Sequence, residues 1–118
     1  MSKLSKLDAI IQEKTKVIFR KFPNGEVIAL FPELPGTNDI TTCLNYMHNG
    51  QHGSGKATLD GTIKVQLLEC VNLFKELTAI GYNLTVVTRI SYQMDQKRIA
   101  AIRACNTVPS DNVNNYLP

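Results

Sequence analysis

Two histidines, His48 and His52, stand four residues apart in the polar stretch from Asn45 to Lys56 (NYMHNGQHGSGK), and Cys43 lies just ahead of them. Imidazole and thiolate are zinc ligands, and they are also the base and nucleophile of cysteine hydrolases. On a helix, positions i and i+4 share a face. In a glycine-rich segment the same spacing carries no such geometry. Zinc wants four ligands, or three and a water, and Cys70 or Cys105 would have to arrive through the fold. Cys43 alternates with apolar neighbours and reads as core. Asp39, Asp60, Asp95 and Asp111 are scattered at turns and element ends, where Asp usually caps. The sequence therefore assigns no catalytic residue, no metal ligand and no cofactor. A small metal-dependent or Cys-His enzyme is kept as the last of three readings.

Gly53-Ser54-Gly55-Lys56 looks like half of a phosphate loop, and Gly50 stands where the first glycine of GxxxxGK[ST] belongs. Ala57 replaces the Ser or Thr that should hold magnesium, and the next helix starts some six residues too late. Nucleotide hydrolysis does not fit. Glycine amides beside Lys56 and two histidines would still suit a lone phosphate or a nucleic-acid backbone. A nucleic-acid-binding domain with a mildly basic face is the second reading. Arg20, Lys21, Lys56, Arg89, Lys97, Arg98 and Arg103 supply the charge, and Tyr46 offers a ring for stacking.

These side chains need a scaffold, and 118 residues form one domain. With 43% hydrophobic and 19% charged residues, the chain has a core and lacks the disorder signature. Its formal charge of +3 permits an anionic partner without demanding one. Three widely spaced cysteines do not make a disulfide framework. MSKLSKLDAIIQEK has neither the long apolar core nor the cleavage site of a secretory leader, and no run approaches the roughly 20 apolar residues that cross a bilayer.

Residues 3–13 place Leu4, Leu7, Ile10 and Ile11 at helical spacing. Strands at 16–22 and 26–31 flank Pro23-Asn24-Gly25, a strong hairpin signal. Both carry apolar residues on both faces, which points to a central position in the sheet or to a sheet covered on two sides. Prolines and turn formers make 32–40 a loop, and 41–47 is a third strand. The segment 48–56 is read as a loop. The longest helix spans about 62–80, with Asp60 or Thr62 as N-cap, Leu67, Cys70, Val71, Phe74 and Leu77 as its buried stripe, joined by Leu73 and Ile80, and Gly81 at its end. Residues 83–91 form a fourth strand and 94–104 a last helix, with Met94, Ile99, Ala101, Ile102 and Cys105 mostly on one face. The fold class is α+β, order α-β-β-β-α-β-α. It comprises a four-stranded, mainly antiparallel sheet packed with helices, in one domain over 1–105, with a polar, loosely ordered tail at 106–118.

VIFRKFPNGEVIALFPE, NYMHNGQHGS and FKELTAIGYNLTVVTRIS together resemble a family of small proteins of bacteriophages, prophages and conjugative elements. Its members share an IFRK…VIALFP hairpin, a Y-x-H-x-GQHG loop and a helix running into G-Y-x-L-x-V. The resemblance covers about residues 17–91. That family has no established activity, so the resemblance implies only a mobile-element origin and an accessory role; with the three cysteines read as reduced thiols, the expected location is the cytoplasm of a bacterial host. The first reading follows: a non-enzymatic interaction protein that binds through the 45–56 loop. Tyr46, His48, Gln51, His52, Lys56 and Arg20 are the candidate binding residues. The expected partner is a macromolecule, protein or nucleic acid, with no membrane. A homodimer is a further candidate.

Overall fold

Asn24 and Gly25 reverse the chain as their types predict. Gly25 takes φ +93°, the Asn24 side chain accepts from the Glu26 amide at 3.0 Å, and the Phe22 amide donates to the Glu26 carbonyl at 2.9 Å. On either side β1 (Thr15–Lys21) and β2 (Val27–Phe31) pair antiparallel, with Ile18 opposite Leu30. A computed structural model describes residues 14–47 and 51–116, with side chains as far as Cys105. The expected N-terminal helix at 3–13, and His48, lie outside the described residues.

The remaining elements are β3 (Thr42–Met47), β4 (Gln51–Lys56), β5 (Ile63–Lys64), α1 (Leu67–Ile80), β6 (Leu84–Val86) and α2 (Tyr92–Tyr116). The fold is α+β, with six strands rather than the expected four. The sheet runs β4-β3-β2-β1-β5. β6 joins parallel to β1, Thr15 opposite Leu84 and Val17 opposite Val86, while β5 pairs antiparallel with Arg20 and Lys21 farther along. β1 therefore carries two short partners on one edge and β2 on the other.

Strand alternation sends side chains to two faces, and both are apolar, as the two-sided pattern of β1 and β2 predicts. One face gathers Val17, Phe19, Ala29, Phe31 and Tyr46 beneath Cys70, Leu73 and Leu77 of α1. The other gathers Ile18, Ile28, Leu30 and Cys43. Each such side chain withdrawn from water contributes roughly 1.5–3 kcal/mol.

Several boundaries differ from expectation for identifiable reasons. The strand expected over 83–91 is only Leu84–Val86, the stretch that pairs with Thr15–Val17 of β1. α1 begins at Leu67, not at 62, because Ile63 and Lys64 pair with β1. Gln66 is the N-cap in place of Asp60 or Thr62: its amide donates to the Glu69 carboxylate at 2.7 Å. Starting there, the helix buries Cys70, Leu73 and Leu77, while Leu67 and Ile80 are exposed. Gly81 ends it with φ +130°, and its amide reaches the Leu77 and Thr78 carbonyls. α2 starts at Tyr92, after Ser91 accepts from the Met94 amide at 3.2 Å, and its backbone continues well past 104. Its buried residues are Met94, Arg98 and Ile102, whereas Cys105 is exposed.

Candidate functional site

The stretch singled out in the sequence is mostly strand. Residues 51–56 form β4, paired along their whole length with β3, Met47 opposite Gln51 and Thr42 opposite Lys56. The Ala57 amide donates to the Thr41 carbonyl at 2.8 Å and extends the ladder. Two glycines in a strand cost backbone entropy, and that cost hid the strand from a propensity reading. The register supplies the reason for them. Gly53 and Gly55 sit on the same face as Asn45, and a Cβ there would meet the Asn45 Oδ1 at 2.9 Å or its Nδ2 at 3.0 Å. The Asn45 side chain occupies the space that side chains at 53 and 55 would need.

On the face covered by α1, β4 presents His52, Ser54 and Lys56. The His52 Nε2 and the Tyr82 hydroxyl share a hydrogen bond of 2.8 Å. The His52 ring stands edge-on to Tyr46, with centroids 4.8 Å apart at 69°, and Tyr82 stacks on Phe31 at 4.9 Å. The Tyr46 hydroxyl donates to the Glu76 carboxylate of α1. Burial pushes the Tyr82 phenol up from its ordinary pKa; which partner donates in its bond to His52 follows the histidine tautomer. This cluster fastens the hairpin to α1 and to the chain following it. Tyr82 and Glu76 were not singled out in the sequence, where nothing marks their role beyond a Tyr next to Gly81.

The expected site residues do not all converge. Tyr46 is buried (1% exposed), so it offers no ring for stacking on a base. His52 and Lys56 share one face of β4, and Gln51 is exposed on the other. Arg20 is on β1, three strands away, or about 14 Å at normal strand spacing. It donates to the Thr62 hydroxyl and carbonyl, both at 3.0 Å. Cys43 is buried on the face opposite His52, so the two do not form a nucleophile pair; burial pushes its thiol pKa up, against the pull of Arg98. Among the described residues, no group of three His, Cys, Asp or Glu side chains is placed to hold a metal.

The geometry also bears on the phosphate and basic-face readings. Alternation from the Ala57–Thr41 bond directs the amides of Gly53 and Gly55 into the β3 ladder, where they are not free to cradle an anion. Arg98 is 2% exposed and donates to the Pro32 carbonyl at 2.8 Å, the Ile40 carbonyl at 3.1 Å and Asp95 at 2.8 Å. Lys21 pairs with Glu69, and Lys97 with Glu33. The seven cations do not gather on one surface.

Among the described residues the hairpin leaves one backbone edge unpaired. Among the described residues β4 pairs only with β3. By the same alternation, the amides and carbonyls of His52, Ser54 and Lys56 point outward. Beside them, on the glycine face, a cavity of about 330 Å³ is lined by Asn45, Met47, Gly55, Phe22 and Ile28.

Searches against protein-family models, curated proteins and solved structures find no match for the chain. No helix among the described residues is long and apolar enough to cross a membrane.

Proposed function

We propose that this is a non-enzymatic interaction domain that captures an extended segment of a protein partner by strand addition to β4. The observation that carries this reading is the open edge itself, six residues long, without proline or bulge. Natural sheets usually blunt such edges with several charges, a proline or a covering loop; here Lys56 is the only charge. Backbone pairing supplies affinity in this mode, and pockets for alternate side chains supply selectivity. The cavity beside Asn45 and Met47 suits one apolar side chain of an incoming strand, and Lys56 suits an acidic one on the other face. The likeness of residues 17–91 to mobile-element proteins directs the search toward phage and host proteins.

Selection of random dodecapeptides on the immobilised protein tests this. Enriched peptides should alternate β-branched with acidic residues and shift the amide resonances of 51–56. Ser54→Pro removes an outward amide while leaving the β3 ladder intact, and it should weaken binding at least tenfold with the fold retained. Binding that survives Ser54→Pro and Lys56→Pro, or no peptide binding tighter than about 1 mM, refutes the proposal. Pairing of two copies through β4, seen by sedimentation, would replace the peptide with a second chain.

A further inference from the structure

β1 is shared along one edge by two strands that do not meet. β6 takes Thr15–Val17 and β5 takes Arg20–Lys21, so the sheet parts at Ile18 and Phe19. A cavity of about 410 Å³ opens at the parting. Phe19, Val65, Cys70 and Val87 give it an apolar wall. Leu67 and Val86 stand at its rim, 79% and 54% exposed. Its size falls within the roughly 300–1,000 Å³ of small-molecule sites.

Two cations border this apolar slot. Arg20 and Lys64 are cross-strand partners, so their side chains share one face and lie next to each other. Like charges directly opposite in a sheet destabilise it. Among the described residues no carboxylate pairs with either one. Glu69, in the first turn of α1, is engaged by Lys21 at 2.5 Å and by the Gln66 amide. Arg20 is held through Nε and Nη2 by Thr62, which fixes the guanidinium and leaves Nη1 without an acceptor among the described residues. An anion seated between the two would relieve their repulsion, and an apolar body behind it would cover Phe19, Val65 and Val86.

We infer that this slot binds a small amphipathic monoanion, a medium-chain carboxylate, with its head between Arg20 and Lys64 and its chain in the parting of the sheet. The head forms charge-assisted hydrogen bonds, which are about twice as strong as neutral ones. The exposed Leu67 and Val86 are the side chains that such a chain would bury.

Titration of the full-length protein with octanoate, followed by amide resonances, tests the assignment, with 1-octanol and octylammonium as controls. The expected result is saturable shifts confined to residues 18–20, 64–70 and 86–88, with the carboxylate binding at least ~10-fold tighter than either control. Lys64→Gln should weaken octanoate about tenfold, the loss of one charge-assisted contact, and leave octanol unchanged. Val86→Trp should close the rim and abolish binding. Both substitutions are at exposed positions, so folding survives them. Equal binding of the three probes, shifts centred elsewhere, or no saturation below about 1 mM overturns the inference. So do contacts in the ligand-free protein between Leu4, Leu7 or Ile10 and Val86, which would give the slot to the chain's own first residues.

Discussion

Replacing Arg98 with Met should be the costliest single change on α2. The guanidinium joins both ends of the 32–40 loop to the helix, through the Pro32 carbonyl at 2.8 Å and the Ile40 carbonyl at 3.1 Å. Met keeps much of the aliphatic stem and removes every donor. A buried acceptor left without a partner costs about 1–3 kcal/mol; the Pro32 bond is buried and the Ile40 bond partly so, which gives about 3–5 kcal/mol together on that scale. Asp95, with its side chain 38% exposed, returns to water at little cost. The Arg98 Nε proton is buried without an acceptor in the native fold, and its removal gives back about 1 kcal/mol. The net loss is about 2–4 kcal/mol, a large share of the roughly 5–15 kcal/mol that holds a domain of this kind together. Urea unfolding followed by far-UV circular dichroism suits a chain without Trp. At an m-value of about 2 kcal/mol/M, the midpoint should fall by about 1–2 M. Lys97→Met removes only an exposed pair with Glu33 and should cost less than about 0.5 kcal/mol. An Arg98→Met loss below about 1 kcal/mol, or one matched by Lys97→Met, would refute the clamp.

Gly36→Ala should destabilise by about 1–3 kcal/mol, because the new methyl would lie 2.3 Å from the Ser54 Oγ and 2.8 Å from the Cys43 carbonyl; adding Ser54→Gly should recover only part, since the backbone contact persists, and full recovery would sink that account. With Ellman's reagent, the exposed Cys105 should react quickly in the native protein, while Cys43 and Cys70, whose thiol pKa values burial pushes up, react slowly; three equal rates would contradict the burial. Hydrogen bonds from Lys21 and the Gln66 amide hold the Glu69 carboxyl below its usual 4.5. Its folded pKa is depressed, so its contribution is present above pH 4.5 and is lost as pH falls through the lower folded value. Glu69→Gln keeps an N3 acceptor for the Gln66 amide and should flatten that acid limb in stability-versus-pH curves; an unchanged slope would exclude the mechanism. Fluorescence anisotropy with single- and double-stranded probes should show no steeply salt-dependent binding, because the basic residues are dispersed, paired or buried.

The first hairpin was legible because every local signal agreed: Asn-Gly for the turn, β-branched runs on both sides, and apolar residues on both faces. Gly81 was legible for the same reason. β4 was not, since glycine has no strand preference and the need for Gly53 and Gly55 arises only when Asn45 lies across from them. The start of α1 was missed because Ile63 and Lys64 are recruited by the edge of β1, a tertiary demand that overrides helical spacing. For Arg98 a signal existed: it falls between Met94 and Ile102 on the buried stripe of α2, and a cation in the middle of such a stripe needs carbonyl partners. Tyr46 alternates with Leu44 and Thr42, a pattern that fits an inward ring as well as an outward one. At the candidate site, the separation of Arg20 from Lys56 depends on strand order, which residue spacing does not encode.

The shared edge of β1 also bears on synthesis. Ribosomes extend chains at about 5–20 residues per second, so roughly 3–11 s separate the translation of Phe31, which completes the first hairpin, from that of Val86, which completes β6. For that interval the N-terminal half of β1 stands with unsatisfied amides and carbonyls, next to Val17 and Phe19 not yet covered by α1. Closure across so long a stretch of chain is slow as well as late. The nascent protein therefore passes through a stage in which the centre of its future sheet is an open edge, and this is the stage at which a chaperone, or a second nascent copy, would meet it.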